Sequence, residues 1–240
     1  FLLDKQLNKE ELYFLANFYK ETNNYEDMIS VLSKLISSKL MSSYKEFSFF
    51  EQSIMQYITT KQENLLKMRS LEKKETKNNP SYVGYLRELL VVAEEEFRRK
   101  LDELYFIIER GIPVKTLEAN LVVLLELLKA EILNIKLFIE NEENFSSVQK
   151  ILEDCFKLAN SSIKPYEKEY LKTVLALGSF YARVLKDSEF AKQFLESCYS
   201  EMILYEGTEG EDTTELFNKN IEILNLIKYS ITIYTAEISK

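Results

Sequence analysis

Apolar residues recur at helical spacing along almost the whole chain. Little interrupts them: three Pro and five Gly are spread over 240 residues. Residues 24–36, NYEDMISVLSKLI, show the pattern in miniature. Met28, Val31, Leu32 and Leu35 fall on one face of a helix. Glu26 and Asp27 suit its first turn, where free backbone N–H groups favour negative charge.

The same period predicts helices at 10–22, 24 to about 40, 45–75, 82–110, 114–140, 145–160, 165–185, 188–205 and 215–237. Asn8 stands where a cap for the first would sit. ETKNNPS at 75–81, GIP at 111–113 and GTEGEDTT at 207–214 break the pattern. Short connections make successive helices antiparallel neighbours, so the expectation is one all-α array over 1–240 rather than two separate domains. A helix over 82–110 would run about 43 Å, too long to wrap a small core, so the array should be extended. No strict heptad or short internal repeat persists.

Composition closes several routes to function. A hydrophobic fraction of 46% supplies a core, and a charged fraction of 29% with net charge −8 argues against a general nucleic-acid binder. With no His, a His-based triad or zinc site is excluded. Cys155 and Cys198 form no disulfide framework and show no metal-ligand spacing; a reducing compartment is expected, with a single disulfide left open. No apolar run approaches the ~20 residues needed to span a membrane, so no membrane insertion is expected. FLLDKQL is too short and too soon charged for a signal peptide, and native termini are expected to lie outside the given sequence.

Catalytic signals are missing. Glu94, Glu95 and Glu96 are consecutive, so on a helix they project in different directions and read as a solvated face. Glu109 and Glu118 flank a helix junction without catalytic spacing. There is no nucleophile elbow, phosphate-binding loop or dinucleotide fingerprint, so neither an enzyme nor a bound cofactor or metal is expected. In the last helix Ile221, Leu224, Ile227, Ile231 and Tyr234 make one apolar stripe, which Ile223, Leu226 and Ile233 widen. That width fits two-sided packing between neighbours first, and the alternative is that part of the face forms one wall of a peptide groove.

Several fragments, in order, resemble the 14-3-3 family. NYEDM at 24–28 is similar to the family's Tyr-Asp/Glu-Asp-Met at the start of its second helix. SLEKKE at 70–75 resembles the end of its third helix; IP at 112–113 and FYARVLKDSEFA at 180–191 match further landmarks. LNLIKYSITIYT at 224–235 resembles the final helix, with Tyr234 in place of the usual Trp. The resemblance implies nine antiparallel helices in a cup-shaped protomer, with 1–110 as the dimer-forming half and 114–240 as the groove-forming half. It also implies a non-catalytic adaptor, a homodimer or family heterodimer, whose partners are peptide segments of client proteins. A cytoplasmic location is implied, with the nucleus reached through partners.

The family's phosphate ligands are not carried over. The alignment puts Met55 and Gln62 at its helix-three Lys and Arg, and Asn134 and Ile135 at its helix-five Arg-Tyr pair. Two asparagines that hold a bound peptide's backbone become Ala176 and Ser230. Gln62, Asn134 and Ser230 offer neutral hydrogen bonds only, about half as strong as charge-assisted ones. Arg183 stands where the family has a groove-facing Glu, so with Lys61 or Lys129 it would meet an acidic or phosphorylated ligand in an altered way; the alternative is ordinary pairing, for example with Glu131. Leu175, Ile223 and Leu226 are the candidates for the apolar wall. Three readings follow: an adaptor with altered phosphopeptide recognition, a phosphorylation-independent peptide-binding module, or a dimeric scaffold that has lost the groove ligand.

Overall fold

The computed structural model describes residues 7–112, 117–140, 142–206 and 218–239. Among them are nine helices and no strand: α1 (Lys9–Glu21), α2 (Tyr25–Ser37), α3 (Tyr44–Asn78), α4 (Pro80–Gly111), α5 (Ala119–Ile139), α6 (Ser146–Ser162), α7 (Lys168–Arg183), α8 (Ser188–Glu206) and α9 (Ile221–Ile238). The described residues fall into two compact units. One holds α1 to α4 with residues 138–140, and the other holds 117–137 with α6 to α9.

In the first unit the helix starts are written locally. The Asn8 side chain accepts from the Glu11 amide at 2.9 Å, and the Glu11 carboxylate accepts from the Asn8 amide at 2.8 Å, a reciprocal cap. NYEDM packs α2 into this unit through Met28, which is fully buried, while Glu26 reaches out to the Lys61 ammonium on α3 at 2.5 Å. Ser43 caps α3, and Glu46 ties that cap to α1. Its carboxylate takes the Ser42 amide at 2.7 Å, the Ser43 amide at 3.0 Å and the Lys9 ammonium at 2.6 Å.

Burial opposes ionisation of Glu46, but Lys9 and the two amides together outweigh it and draw the carboxyl down to about 2. The folded value lies below the unfolded one. The stabilisation is therefore present above the ordinary carboxyl range and is lost as pH falls from about 4.5 towards 2. Glu46→Gln is expected to cost about 2 kcal/mol at pH 7. Urea midpoints of the variant and the parent should converge by pH 2; a gap of constant size would show that the charge is not what matters.

α3 and α4 form a long antiparallel hairpin whose turn is shorter than the 75–81 break read from the sequence. Only Asn79 stands between them. Pro80 opens α4, a position whose missing N–H would have had no helical partner anyway. Arg69 pairs with Glu94 at 2.7 Å and Arg87 with Glu72 at 2.8 Å along this hairpin.

In the second unit Val123, Cys155, Tyr170, Val174, Leu195, Leu224 and Ile227 are buried together, so α5 to α9 share one core. α7 begins at Lys168 rather than at 165, because residues 163–167 make a turn. The Asn220 side chain, at the start of α9, donates to the Tyr166 carbonyl of that turn at 3.0 Å. The expected 207–214 loop and residues 215–217 of the expected last helix lie outside the described residues. No helix among the described residues is long and apolar enough to cross a membrane.

A cleft between α7 and α9 as candidate functional site

Helices step by three to four residues along a face, and α7 uses that step to set half-buried Leu175 and Ser179 and exposed Arg183 on one side. α9 does the same with Leu226, Tyr229, Ser230, Ile233 and Glu237. Between them lies a cleft of about 590 Å³, closed at one end by Lys186 and Ser188. The Ser188 hydroxyl donates to Glu237 at 2.8 Å, so the carboxy-terminal ends of α7 and α9 meet at that end.

This arrangement segregates the lining. Arg183, Lys186 and Glu237 occupy the closed end, and Leu175 and Leu226 lie two to three turns away. Leu226 is 52% exposed and Tyr229 is 64% exposed, large apolar surfaces for side chains facing water. Tyr234 lines the floor; it is 3% exposed, and its hydroxyl has no partner among the described residues.

Four of the candidate site residues read from the sequence therefore come together here: Leu175, Arg183, Leu226 and Ser230. Ile223 does not line the cleft and packs against the core beneath. Lys129 is buried on α5 and pairs with Glu126 at 2.7 Å, while Asn134 is half-buried further along the same helix. Lys61 and Gln62 belong to the first unit. There Lys61 sits in a different cleft of about 620 Å³, held by Glu26 and lying 5.6 Å from the Tyr57 ring centre. Burial, then Glu26, Glu103 and Glu96, push the Tyr57 hydroxyl upward, so it stays protonated there.

Among the described residues neither Arg183 nor Lys186 makes an ion pair, so Arg183 does not pair with Glu131. Glu131 is half-buried, and desolvation raises its carboxyl above the ordinary range. Of the positions aligned with phosphate ligands, Ile135 is buried and Met55 is half-buried, and neither side chain carries a donor for an anion. Ser179, Lys186, Tyr229 and Glu237 were not singled out from the sequence, and Ile233 and Tyr234 were read there as part of the apolar stripe of the last helix, not as site residues. Stepping three and four residues from Leu175 and Leu226 was the signal that would have found them.

The described residues contain no group of three His, Cys, Asp or Glu side chains placed to hold a metal ion. Cys155 and Cys198 are free and buried, and burial pushes both thiols up to about 12, so neither is a nucleophile at neutral pH.

The model of the family described as 14-3-3 protein matches residues 15–235. No curated protein matches the chain. Because the family match takes in nearly all of the sequence from α1 to α9, the chain belongs to the 14-3-3 family and is a protein-binding adaptor with no catalytic role.

Proposed function

We propose that the chain positions or masks client proteins by holding an extended segment of each in the cleft between α7 and α9. The observation that carries this reading is the cleft's lining: exposed apolar side chains from α9 share it with a guanidinium from α7 that makes no ion pair among the described residues. Such a wall gains by covering Leu226 and Tyr229, and its polar groups fix the register of what covers them.

Residues 114–240 supply this site, and residues 1–110 supply self-association. Support for the second role is the exposed apolar surface of the first unit, where Phe14 and Phe18 on α1 and Tyr85, Leu89 and Val92 on α4 face water. A second copy of this chain, or a family relative, is the occupant that the resemblance implies for that surface. Two free buried cysteines fit a reducing compartment such as the cytoplasm. The loss of charged donors at the aligned phosphate positions favours a phosphorylation-independent module over a phosphate-dependent one.

The test is selection of peptides from a random display library, followed by affinity measurements on the best binders with the parent protein and Leu226→Asp. Burying a Leu is worth about 1.5–3 kcal/mol, so the variant is expected to bind roughly tenfold or more weakly with unchanged helical content. Binders indifferent to Leu226→Asp, or a library without binders, would leave the scaffold reading in place.

A further inference from the structure

Taking the cleft as the binding site, we infer that it selects segments carrying a single side-chain carboxylate near an apolar residue, in preference to phosphorylated segments. Two cations, Arg183 and Lys186, and one carboxylate, Glu237, line its closed end, which leaves one net positive charge. Among the described residues neither cation is paired. Glu237 is held by the Ser188 hydroxyl, not by the cations beside it. An Asp or Glu side chain brings one negative charge and two oxygens that match the fork of a guanidinium. A phosphoserine brings about −1.5 to −2 at neutral pH, more than this end balances, and sets it beside the fixed negative charge of Glu237.

The spacing of the two features follows from helix geometry. Leu175 and Arg183 are about 12 Å apart along α7 at 1.5 Å per residue, and Leu226 and Glu237 about 16 Å apart along α9. An extended segment advances about 3.3 Å per residue, so carboxylate and apolar side chain should stand about four residues apart. The other cations singled out from the sequence are already engaged, Lys61 by Glu26 and Lys129 by Glu126.

The experiment uses the full chain and a fluorescein-labelled nine-residue peptide with Glu and Leu four positions apart, titrated by anisotropy at fixed salt. Companion peptides replace the Glu by Gln or phosphoserine, or move it next to the Leu. The Glu peptide is expected to bind roughly tenfold tighter than the Gln peptide, and more tightly than the phosphoserine peptide. Arg183→Glu should erase the preference for Glu while retaining binding of the Gln peptide. Glu237→Gln should improve phosphoserine binding severalfold, a gain that misfolding cannot mimic.

Equal or tighter binding of phosphoserine by the parent protein, or a Glu preference that survives Arg183→Glu, would overturn the inference. Equal binding of the Glu and Gln peptides, with both weakened by Leu226→Asp, would overturn it too and leave the adaptor reading standing. If none of the peptides binds, the inference fails. Binding that ignores Leu226→Asp overturns the inference and the adaptor reading together.

Discussion

Phe50→Ala is expected to remove about 4 kcal/mol of stability. Phe50 is fully buried on α3, on the face that also buries Phe47, Ile54 and Tyr57. Truncation removes the transfer free energy of the ring and leaves a cavity that rigid helices close only in part. Against a total of about 5–15 kcal/mol for a typical domain, that is a large share. Urea unfolding should show a lower midpoint with an unchanged slope. A loss below about 1.5 kcal/mol would mean that neighbouring side chains collapse into the space, and that this part of the first unit is packed loosely.

Gly178→Val is expected to cost about 3 kcal/mol, through overpacking instead of a void. Gly178 lies inside α7, where helix propensity alone would favour almost any other residue. A β-carbon built there would come within 2.5 Å of the Leu195 Cδ2 and 2.7 Å of its Cγ, and Leu195 is fully buried on α8. The glycine is what lets the two helices approach. Ala should be mildly destabilising, since relief of about 1 kcal/mol in propensity only partly offsets the clash. Gly84 is the control: nothing lies within 4 Å of a β-carbon there, so Gly84→Ala should be neutral or stabilising by about 0.5–1 kcal/mol. Thermal or urea unfolding of the three variants checks the order, and a Gly178→Val variant as stable as the parent would show that α8 can shift freely.

Much of the fold was legible because helical period and capping are local. Asn8 with Glu11, and the α2 face of Met28, Val31, Leu32 and Leu35, are set by residues three or four apart, and all four of those apolar side chains are fully buried. Boundaries were less legible. The 75–81 stretch carries the composition of a loop, yet it turns at Asn79 alone, and α3 and α4 are still paired through Glu72 and Arg87 about two turns from the tip of the hairpin. Local composition cannot report a neighbouring helix that rewards another turn.

The candidate site divides the same way. Residue types along the chain identified Arg183 and Ser230 as unusual for their family positions, since a charge reversal or a lost amide is visible without coordinates, and Leu226 as a candidate for the apolar wall. They also determined that α9 is apolar over more than one face, and that no His is present to build a metal or triad chemistry. Which of several cations stays available was decided by the tertiary structure alone. Lys61 is taken up by Glu26, 35 positions away in sequence, and Lys129 is buried, whereas Arg183 and Lys186 line the cleft without ion pairs among the described residues. Glu237 entered the site in the same manner, through a hydrogen bond to Ser188 across 49 positions. Charge availability depends on contacts between helices distant in sequence, and helical period specifies the faces without specifying which faces meet.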